Sequence, residues 1–507
     1  MKKNARFRWL ILLIPFLLGV QGYYTNANPE LQGNLMGSIY SALRLYSLNM
    51  DIKETDMNTY IQLARWGAAA ATTSVIMLLF HRFFQEMRLR WMLRNKDAVV
   101  VHGDGSRKDV VANAMKGDAI PMAGRACFDA KRHVLAFEND MAAVRYLREH
   151  EELLLDNNKE IYFVSFDYEP SDYAQTGLII SNHAVNCARA YWKEYWIKDH
   201  GEKKIAIIGA GGYAQRLLEQ ALLVNVLAWH DPIEYHVYGV SKERYLSWHP
   251  QLSQALALDR SDPVKDSVFF HPALSDAGIE GLNAMDRIII AADSYEESLL
   301  QLNRLLAAGI KGEIHVRGSR KLLQQLQYVP ARQKAFDQIE IKSFGDDEEM
   351  YTSEIILRGE LGRAARKNHE MYVSSSAAER IRNKYHSCVG CTKVGKCGSC
   401  PHTDETWDDL TPFEKASNIA AADHETVKKY LLEQASAHGG LEAVKGELCR
   451  VEHERWCRFY YLHNWKHGDV RNDAERRHPQ LKPFDELEPS VQEMDWWGYE
   501  TLLNKEA

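Results

Sequence analysis

The chain lacks a strong charge of either sign. Its 507 residues include 62 Lys and Arg against 69 Asp and Glu, which leaves a formal net charge of −7 at pH 7. Proteins that bind nucleic acid usually carry a basic surface that attracts phosphates. The composition therefore excludes a nucleic-acid partner from our predictions. A hydrophobic content of 46% allows large cores, and this length suggests about two to four domains.

Long uninterrupted apolar runs are also missing, although a helix that spans a bilayer needs about 20 mostly apolar residues. Two shorter segments come near this length, at about residues 9–20 and 66–84. Basic residues crowd their outer flanks and are rare in the loop between them, so the positive-inside rule places both ends in the cytoplasm. We predict a membrane hairpin of two transmembrane helices over residues 1–90. A cleaved signal peptide is the alternative for the first segment.

Strand and helix patterns alternate after residue 97, which is typical of parallel sheets covered by helices. In DAVVVHGDG, a strand is followed by Gly103 and Gly105, which would let backbone amides approach a ligand. HVLAFENDMAAVRYL predicts a further strand, followed by Glu138 and Asp140, acids suited to accept hydrogen bonds from ribose hydroxyls. We predict a first Rossmann-like unit over residues 97–200.

Residues 201–345 repeat this design with a more specific turn. KIAIIGAGGYAQ fits G-x-G-x-x-G/A between a strand and a helix, the context that this dinucleotide pattern requires. The cofactor-binding residues predicted in this turn are Gly209, Gly211, Gly212 and Ala214. The strand EYHVYG is followed by Ser241 and basic residues, and lacks the acid that binds the ribose of NAD. A phosphorylated ribose, another nucleotide and an empty turn all remain open.

Two such units behind a membrane hairpin resemble the TrkA-N, or RCK-like, regulatory domains of prokaryotic potassium transport systems. The resemblance covers about residues 97–345 and rests on VVVHGDG, VLAFEND and IAIIGAGGYAQ. It implies that a dinucleotide or another ligand shifts a gating ring. The missing acid after the second strand of the second unit departs from the usual pattern of NAD recognition.

Cysteine is scarce, and four of the eight cysteines fall in one stretch, HSCVGCTKVGKCGSCPH. The spacing C-x2-C-x5-C-x2-C presents two pairs of thiolates, which suits one structural tetrahedral zinc ion in a reducing cytoplasm. The middle spacing is shorter than in ordinary zinc ribbons, so an iron–sulfur cluster and free or redox-active thiols remain as alternatives. This stretch lies in a predicted linker, residues 346–403. The predicted metal ligands are Cys388, Cys391, Cys397 and Cys400.

The segment 404–507 carries the most specific pattern. WDDLTPFEKASNIAAADH is followed by ELCRVEHERWCRFYYLHNWKHGDVRND and HPQLKPFDEL, in which aromatic residues recur at helical spacing behind an acid. A buried aromatic core would explain this periodicity by itself. These segments also resemble the RyR domain, a cytosolic module of ryanodine receptors that occurs in bacterial proteins too.

The RyR resemblance implies a mainly helical ligand-sensing module and no catalyst. Its bacterial relatives are linked to nucleotide-derived signals and to defence against phage. A tryptophan ring can stack on a base, and an arginine can bind a phosphate through two hydrogen bonds. The residues expected to line the pocket are Asn418, Glu452, Arg455, Trp456 and Trp465.

We therefore predict an α/β protein with an N-terminal membrane hairpin, tandem Rossmann-like doubly wound parallel sheets and a C-terminal, mainly α RyR-like domain. The predicted function is ligand sensing by a homo-oligomer in the inner cell membrane. Its cytoplasmic domains would bind NAD(P) or another nucleotide and regulate the hairpin, in ion transport or anti-phage defence. The alternatives are a membrane-anchored NAD(P)-dependent oxidoreductase, an NAD(P)-consuming enzyme, and a scaffold with vestigial pockets. No nucleophile–base pair or hydride-transfer acid lies beside the glycine turn in the sequence.

Overall fold

A computed structural model of the chain describes residues 3–27, 33–50, 52–94, 98–115, 119–121, 125–155, 159–166, 178–198, 201–258, 262, 264–327, 339–373 and 406–506. The chain divides into two compact units. The first comprises Met1–Lys96 and Gly124–Asp129, and the second comprises Asp97–Ala123 and Ala130–Ala507.

Three helices dominate the first unit: α1 (Lys3–Tyr24), α2 (Leu35–Arg44) and α3 (Thr59–Met92). Small residues bring α1 and α3 together. A Cβ atom added to Gly22 would lie 2.7 Å from the Ile61 side chain, and one added to Gly67 would lie 2.8 Å from Pro15. These two contacts run in opposite directions along the two helices, so α1 and α3 form a closely packed antiparallel pair.

The two predicted apolar segments lie within α1 and α3. Across the part of the chain that the structure describes, no helix is both long enough and apolar enough to cross a membrane. This finding does not support the transmembrane assignment of residues 1–90, which stays a prediction.

The first sheet of the second unit is parallel throughout, with the order β2-β1-β3-β4-β5. Its direction reverses between β1 and β3, and the ligand crevice of such sheets lies outside the carboxyl ends of the two strands at this switch point. The strands are β1 (Val99–His102), β2 (Ala119–Pro121), β3 (Arg132–Leu135), β4 (Glu160–Ser165) and β5 (Leu178–Asn182). The accompanying helices are α4 (Gly105–Ala114), α5 (Asp140–Glu149), α6 (Glu151–Leu154) and α7 (His183–Glu194).

The second sheet has six parallel strands in the order β11-β10-β9-β6-β7-β8. This is the usual Rossmann order, and its switch point lies between β6 and β9. The strands are β6 (Lys204–Ile208), β7 (Glu234–Tyr238), β8 (Ser267–His271), β9 (Arg287–Ile290), β10 (Glu313–Arg317) and β11 (Glu340–Phe344). The helices are α8 (Gly212–Val224), α9 (Lys242–Trp248), α10 (Asp276–Ile279), α11 (Tyr295–Ala307) and α12 (Arg320–Gln327).

The rest of the second unit is mainly helical. The glycine turns were predicted, and the segments KIAIIG, IEYHVYG, SVFFHP, DRIIIAAD and EIHVRG predicted five of the six strands of the second sheet, whereas β2, β5 and β11 were not predicted. The prediction of an α/β protein with parallel sheets and a helical C-terminal region is confirmed. The remaining helices are α13 (Asp347–Met350), α14 (Ser353–Ile356), α15 (Arg363–Val373), α16 (Pro412–Asp423), α17 (Glu425–Gln434), α18 (Leu441–Leu462), α19 (Pro489–Gln492) and α20 (Trp497–Glu506). A two-stranded pair, β12 (Lys466–His467) and β13 (Arg477–His478), follows α18.

One apolar core joins the Rossmann sheets to the C-terminal helices. Leu218 of α8, Val427 of α17 and Leu448 of α18 belong to the same cluster of buried side chains. Polar contacts reinforce this seam, because the Arg189 guanidinium on α7 donates two hydrogen bonds, of 2.7 and 2.8 Å, to the Asp423 carboxylate on α16. The C-terminal helices therefore pack on the helix layer of the Rossmann units.

Candidate functional site

The carboxyl ends of both sheets open onto one cavity of about 180 Å³. Its walls include Arg107 and Glu138 from the first Rossmann-like unit. Tyr213, Asp293 and Arg317 belong to the second. Except for Arg317, which ends β10, these residues follow the strands at the switch point of their own sheet, where open α/β sheets bind ligands. The fold thus places the two predicted glycine turns opposite each other.

The first glycine turn is closed by an acid of its own unit. The Glu138 carboxylate accepts hydrogen bonds from the backbone N–H groups of Ser106 (2.7 Å) and Arg107 (3.1 Å), at the N-terminus of α4. Gly105 has φ +61°, and a Cβ atom there would lie 2.2 Å from Glu138 Oε1. The backbone hydrogen bond from Arg107 is the main cause that lowers the pKa of Glu138. The carboxylate therefore fills the position where a helix N-terminus would bind a phosphate.

Asp140 faces the protein interior. It is 3% exposed, and its Oδ2 atom accepts hydrogen bonds from Ser165 Oγ (2.6 Å) and Phe166 N (3.1 Å). Both predicted ribose acceptors of the first unit thus bind protein donors. Ribose binding by Glu138 or Asp140 stays a prediction, and it requires the carboxylate to give up its hydrogen bonds with the protein for bonds with the ribose hydroxyls.

The second glycine turn is open at its helix end. A Cβ atom on Gly209 would lie 2.3 Å from the Ala291 carbonyl oxygen, so glycine permits the close approach of β6 and β9. A Cβ on Gly211 would lie 1.7 Å from the Asp293 carboxylate, whereas one on Gly212 would meet no atom within 4 Å. The N-cap residue Gly211 has no side chain, and no described side chain accepts a hydrogen bond from the first-turn amides of α8. Its first-turn amides and the helix dipole therefore offer an anion site beside Gly212.

Arg317 supplies a buried positive charge beside this turn. It is 4% exposed, and its guanidinium carbon lies 3.5 Å from the centre of the Tyr213 ring. Nη1 donates to the carbonyl oxygen of Ala292 at 3.0 Å, and Nε is buried without a hydrogen-bond partner among the described residues. Aromatic faces stabilise such a cation when it is removed from water. Arg317 lines the cavity and therefore places a positive charge beside an anion bound there.

Buried polar groups hold the tyrosine under Arg317 in place. His183 Nδ1 lies 2.6 Å from the Tyr213 hydroxyl, and its Nε2 lies 3.3 Å from Asp347 Oδ1. Tyr295 also donates a hydrogen bond of 2.7 Å to Asp347. Burial lowers the pKa of His183 although Asp347 opposes this shift, so the ring is neutral at pH 7 and orients Tyr213 and Asp347.

Sequence reasoning missed Arg317, His183 and Asp347. A signal existed for Arg317, because EIHVRG places a charged residue at the carboxyl end of an apolar strand. Two other predicted residues have packing or capping roles. Ser241 accepts a hydrogen bond from Arg244 N at 3.2 Å and caps α9, and Ala214 is fully buried in α8.

The predicted pocket residues of the C-terminal region include a buried ion pair. The Arg455 guanidinium donates to both Glu452 carboxylate oxygens, at 2.9 and 2.8 Å, within α18. Lys428 Nζ lies 2.8 Å from the same carboxylate. These cations outweigh the effect of burial and lower the pKa of Glu452. Arg455 is 2% exposed, so its position suits a structural ion pair better than a surface phosphate site.

The two predicted tryptophans belong to an aromatic cluster. The Trp456 ring centre lies 4.2 Å from that of Tyr460, and the Trp465 ring centre lies 5.1 Å from it. Trp465 also stacks on Phe413 of α16 at 5.3 Å. Asn418 lies on α16 and donates to the Glu414 carbonyl oxygen at 2.9 Å. The structure therefore joins the tryptophans through Tyr460 and leaves Asn418 bonded within its own helix.

The RyR domain family model matches residues 432–505 of this chain. The C-terminal region contains an RyR domain. The match begins near the end of α17, so it includes Glu452, Arg455 and both tryptophans but not Asn418. The chain has no match among the curated proteins or the solved structures. The resemblance of the Rossmann-like units to TrkA-N domains stays a prediction.

The four predicted zinc ligands, Cys388, Cys391, Cys397 and Cys400, lie outside the described residues. Elsewhere, within the described ranges, no group of three or more His, Cys, Asp or Glu side chains could hold a metal ion. The zinc site stays a prediction that elemental analysis of the purified chain would test.

Proposed function

We propose that this protein is a ligand sensor whose nucleotide-type ligand binds at the N-terminus of α8, between the two Rossmann-like units. The observation that carries the proposal is the uncapped helix end at Gly212 beside the buried Arg317, whose Nε has no hydrogen-bond partner among the described residues. Helix N-termini and arginines are the two elements that proteins use most directly for phosphate.

The size of the cavity supports sensing. At about 180 Å³, it is smaller than the roughly 300–1,000 Å³ of typical small-molecule pockets. It would hold a phosphate group with little else, so a whole nucleotide requires the two units to move apart. A ligand that binds better to this opened arrangement shifts the protein toward it. The acids Glu138, Asp293 and Asp347 on the wall would favour a ligand of low charge at this point.

Helix α8 supplies a route from this ligand to the RyR domain. Its N-terminus lies at the cavity, and Leu218 in its middle belongs to the core shared with α17 and α18. Movement of α8 would therefore change the packing of the RyR domain. In this proposal the output reaches the N-terminal hairpin of a homo-oligomer in the inner cell membrane, in ion transport or anti-phage defence.

Nucleotide binding by the full chain tests the proposal. NAD, NADP, ATP and AMP would each be titrated while the thermal unfolding midpoint is followed, because a ligand that binds the folded state raises this midpoint. We expect at least one of them to raise it. Gly212→Asp should abolish the rise, since its carboxylate would occupy the anion site without a steric clash.

Two controls separate charge from structure. Gly212→Asn adds a neutral side chain of similar size and should weaken binding less than Gly212→Asp does. Gly281→Asp adds the same charge at an exposed glycine with no atom near its Cβ position, and should leave binding unchanged. Equal binding by the wild-type chain and Gly212→Asp would contradict the proposal. Turnover of NAD or NADP would favour the oxidoreductase or the NAD(P)-consuming enzyme instead.

A further inference from the structure

A second cavity, of about 480 Å³, lies at the seam between the Rossmann-like units and the C-terminal helices. We call it the seam cavity. Its walls come from β5, α7, α8, α14, α15, α16 and α18, and from connecting residues that include Arg358, Leu361 and Gly362. All of these elements belong to the second compact unit, and the volume is typical of small-molecule pockets. The glycine turns do not contribute to it.

Aliphatic side chains predominate on the inner wall of the seam cavity. They come from separate parts of the chain, and include Ile180, Val185, Leu223, Ile419 and Leu462. Few aromatic residues join them, so the wall suits a flexible apolar body more than a stacked base. Removing such a body from water is favourable in proportion to its apolar area.

The carboxylates of the wall already have protein partners. Asp423 accepts hydrogen bonds from Arg189 at 2.7 Å and from Gln220 at 2.9 Å. Glu219 accepts from Arg216 at 2.7 Å and lies 3.2 Å from His249 Nε2. These cations lower the pKa of Glu219 to about 2 against the effect of its burial. The two acids therefore stay ionised and matched, and they do not define a cation site.

Three further arginines carry the excess positive charge. The wall holds five arginines against these two carboxylates, and three of them are Arg358, before α15, and Arg363 and Arg366, in the first turn of α15. Arg358 pairs with Glu354, Arg363 with Glu360, and Arg366 with Glu370 and Asp408. Each of these arginine side chains is more than half exposed. Exposed ion pairs of this kind contribute little to stability, so these guanidinium groups can turn to an anion at small cost.

We propose that the seam cavity binds an amphipathic anion. Its apolar body would pack against the aliphatic wall, and its acidic head group would bind Arg358, Arg363 and Arg366. This site is separate from the glycine turn and does not depend on nucleotide binding there. Because the walls come from both Rossmann-like units and the RyR domain, the ligand would hold these parts in one arrangement.

Gly362 provides a clean way to fill the cavity. It lines the wall, its φ is not positive, and a Cβ atom there would meet only the Ile419 Cδ1 atom, at 3.9 Å. A side chain at this position therefore extends into the cavity without a clash with the backbone. Gly362→Ala adds one methyl group as the matched control, and Gly362→Leu fills the space that the ligand needs.

Dodecanoate, its neutral analogue dodecanol, and AMP would be titrated against the full chain by calorimetry and by thermal unfolding. We expect dodecanoate to bind, with affinity lowered at least tenfold by Gly362→Leu and little changed by Gly362→Ala. The double variant Arg363→Gln/Arg366→Gln should weaken dodecanoate about tenfold and leave dodecanol unchanged. If Gly362→Leu failed to fold, the double arginine variant would still test whether the seam cavity binds an anion.

The AMP arm distinguishes an acyl anion from a nucleotide. If Gly362→Leu abolishes AMP binding and Gly212→Asp leaves it intact, the seam cavity binds an anion, and that anion is a nucleotide. AMP binding with the opposite pattern belongs to the glycine turn and supports only the sensor proposal. The seam site is wrong if neither anion binds, or if both bind equally well to Gly362→Leu and to the arginine variant.

Discussion

The two glycine turns of this protein have the same backbone arrangement but differ in the groups that interact with their helix amides. Each follows the first strand of its parallel sheet and precedes a helix whose first turn lines the same cavity. In the first, Glu138 binds the amides at the start of α4. In the second, the Asp293 carboxylate lies against Gly211, but no described side chain accepts a hydrogen bond from the first amides of α8, and a Cβ atom on Gly212 would lie in open space.

A glycine turn therefore predicts a Rossmann-like fold more reliably than it predicts a bound ligand. The turn brings backbone amides into position, but the following strands decide whether a ligand or a side chain satisfies them. Glu138 accepts hydrogen bonds from the amides of the first turn, whereas at the second turn the Asp293 carboxylate is accompanied by the buried Arg317 of β10. The second turn is therefore the better candidate for an anion, although its sequence lacks the usual acid for NAD.

The largest expected effect compares the glycines themselves. A Cβ atom on Gly103 would lie 1.9 Å from the Ala136 carbonyl oxygen, so Gly103→Ala must push β1 and β3 apart. We expect a loss of about 3 kcal/mol in the free energy of unfolding. Gly212→Ala should change it by less than about 0.5 kcal/mol, or stabilise the chain slightly. Urea unfolding of both variants measures this contrast, and similar losses would show that both turns are equally crowded.

The next comparison concerns the two arginines. Arg317 is buried over Tyr213, whereas Arg107 is partly exposed over the Phe166 ring, at 3.8 Å. Because the loss of a buried charge with its hydrogen bonds is severe, Arg317→Met should destabilise the chain by about 2–3 kcal/mol. Arg107→Met should cost about 1 kcal/mol. Thermal unfolding of the two variants would test this order. If Arg107→Met destabilised the chain more than Arg317→Met, the buried Arg317 would not be the more important of the two for stability.

The smallest effect depends on pH. Since the folded-state pKa of Glu138 is lowered, its contribution to stability is present above the unfolded value near 4.5 and is lost as the pH falls through the lowered value. Glu138→Gln should therefore cost about 1 kcal/mol at pH 7 and flatten this acid dependence. Unfolding between pH 3 and 7 measures both effects. Glu149→Gln, an exposed change on α5, should reproduce neither effect. If the stability of Glu138→Gln changed with pH in the same way as that of the wild-type chain, the capping role of Glu138 would be contradicted.

Local sequence patterns predicted the helices and strands but not the tertiary contacts between them. KIAIIGAGGYAQ contains its strand, turn and helix start within a dozen residues, so periodicity and glycine spacing were sufficient. The contacts of Glu138, Asp293 and Arg317 with the turns depend on the order of the strands, which no local pattern encodes. The i,i+3 spacing of Glu452 and Arg455 on a helix permits a salt bridge, but the sequence analysis assigned both residues to a ligand pocket, because their burial depends on the packing of α17 and α20. Hydropathy and charge asymmetry favoured a membrane hairpin, which the helices described here do not support.

The shared core at the seam has a consequence for biosynthesis. The outer face of α8 is covered by α18, which ends about 240 residues later in the chain. At roughly 5–20 residues per second, the ribosome would release α18 some 10–50 s after α8. During that interval the second Rossmann-like unit presents an apolar surface that only the last part of the chain can bury. Its completion must therefore follow translation of the RyR domain, and a chain that stops short of α18 should be held by chaperones or degraded.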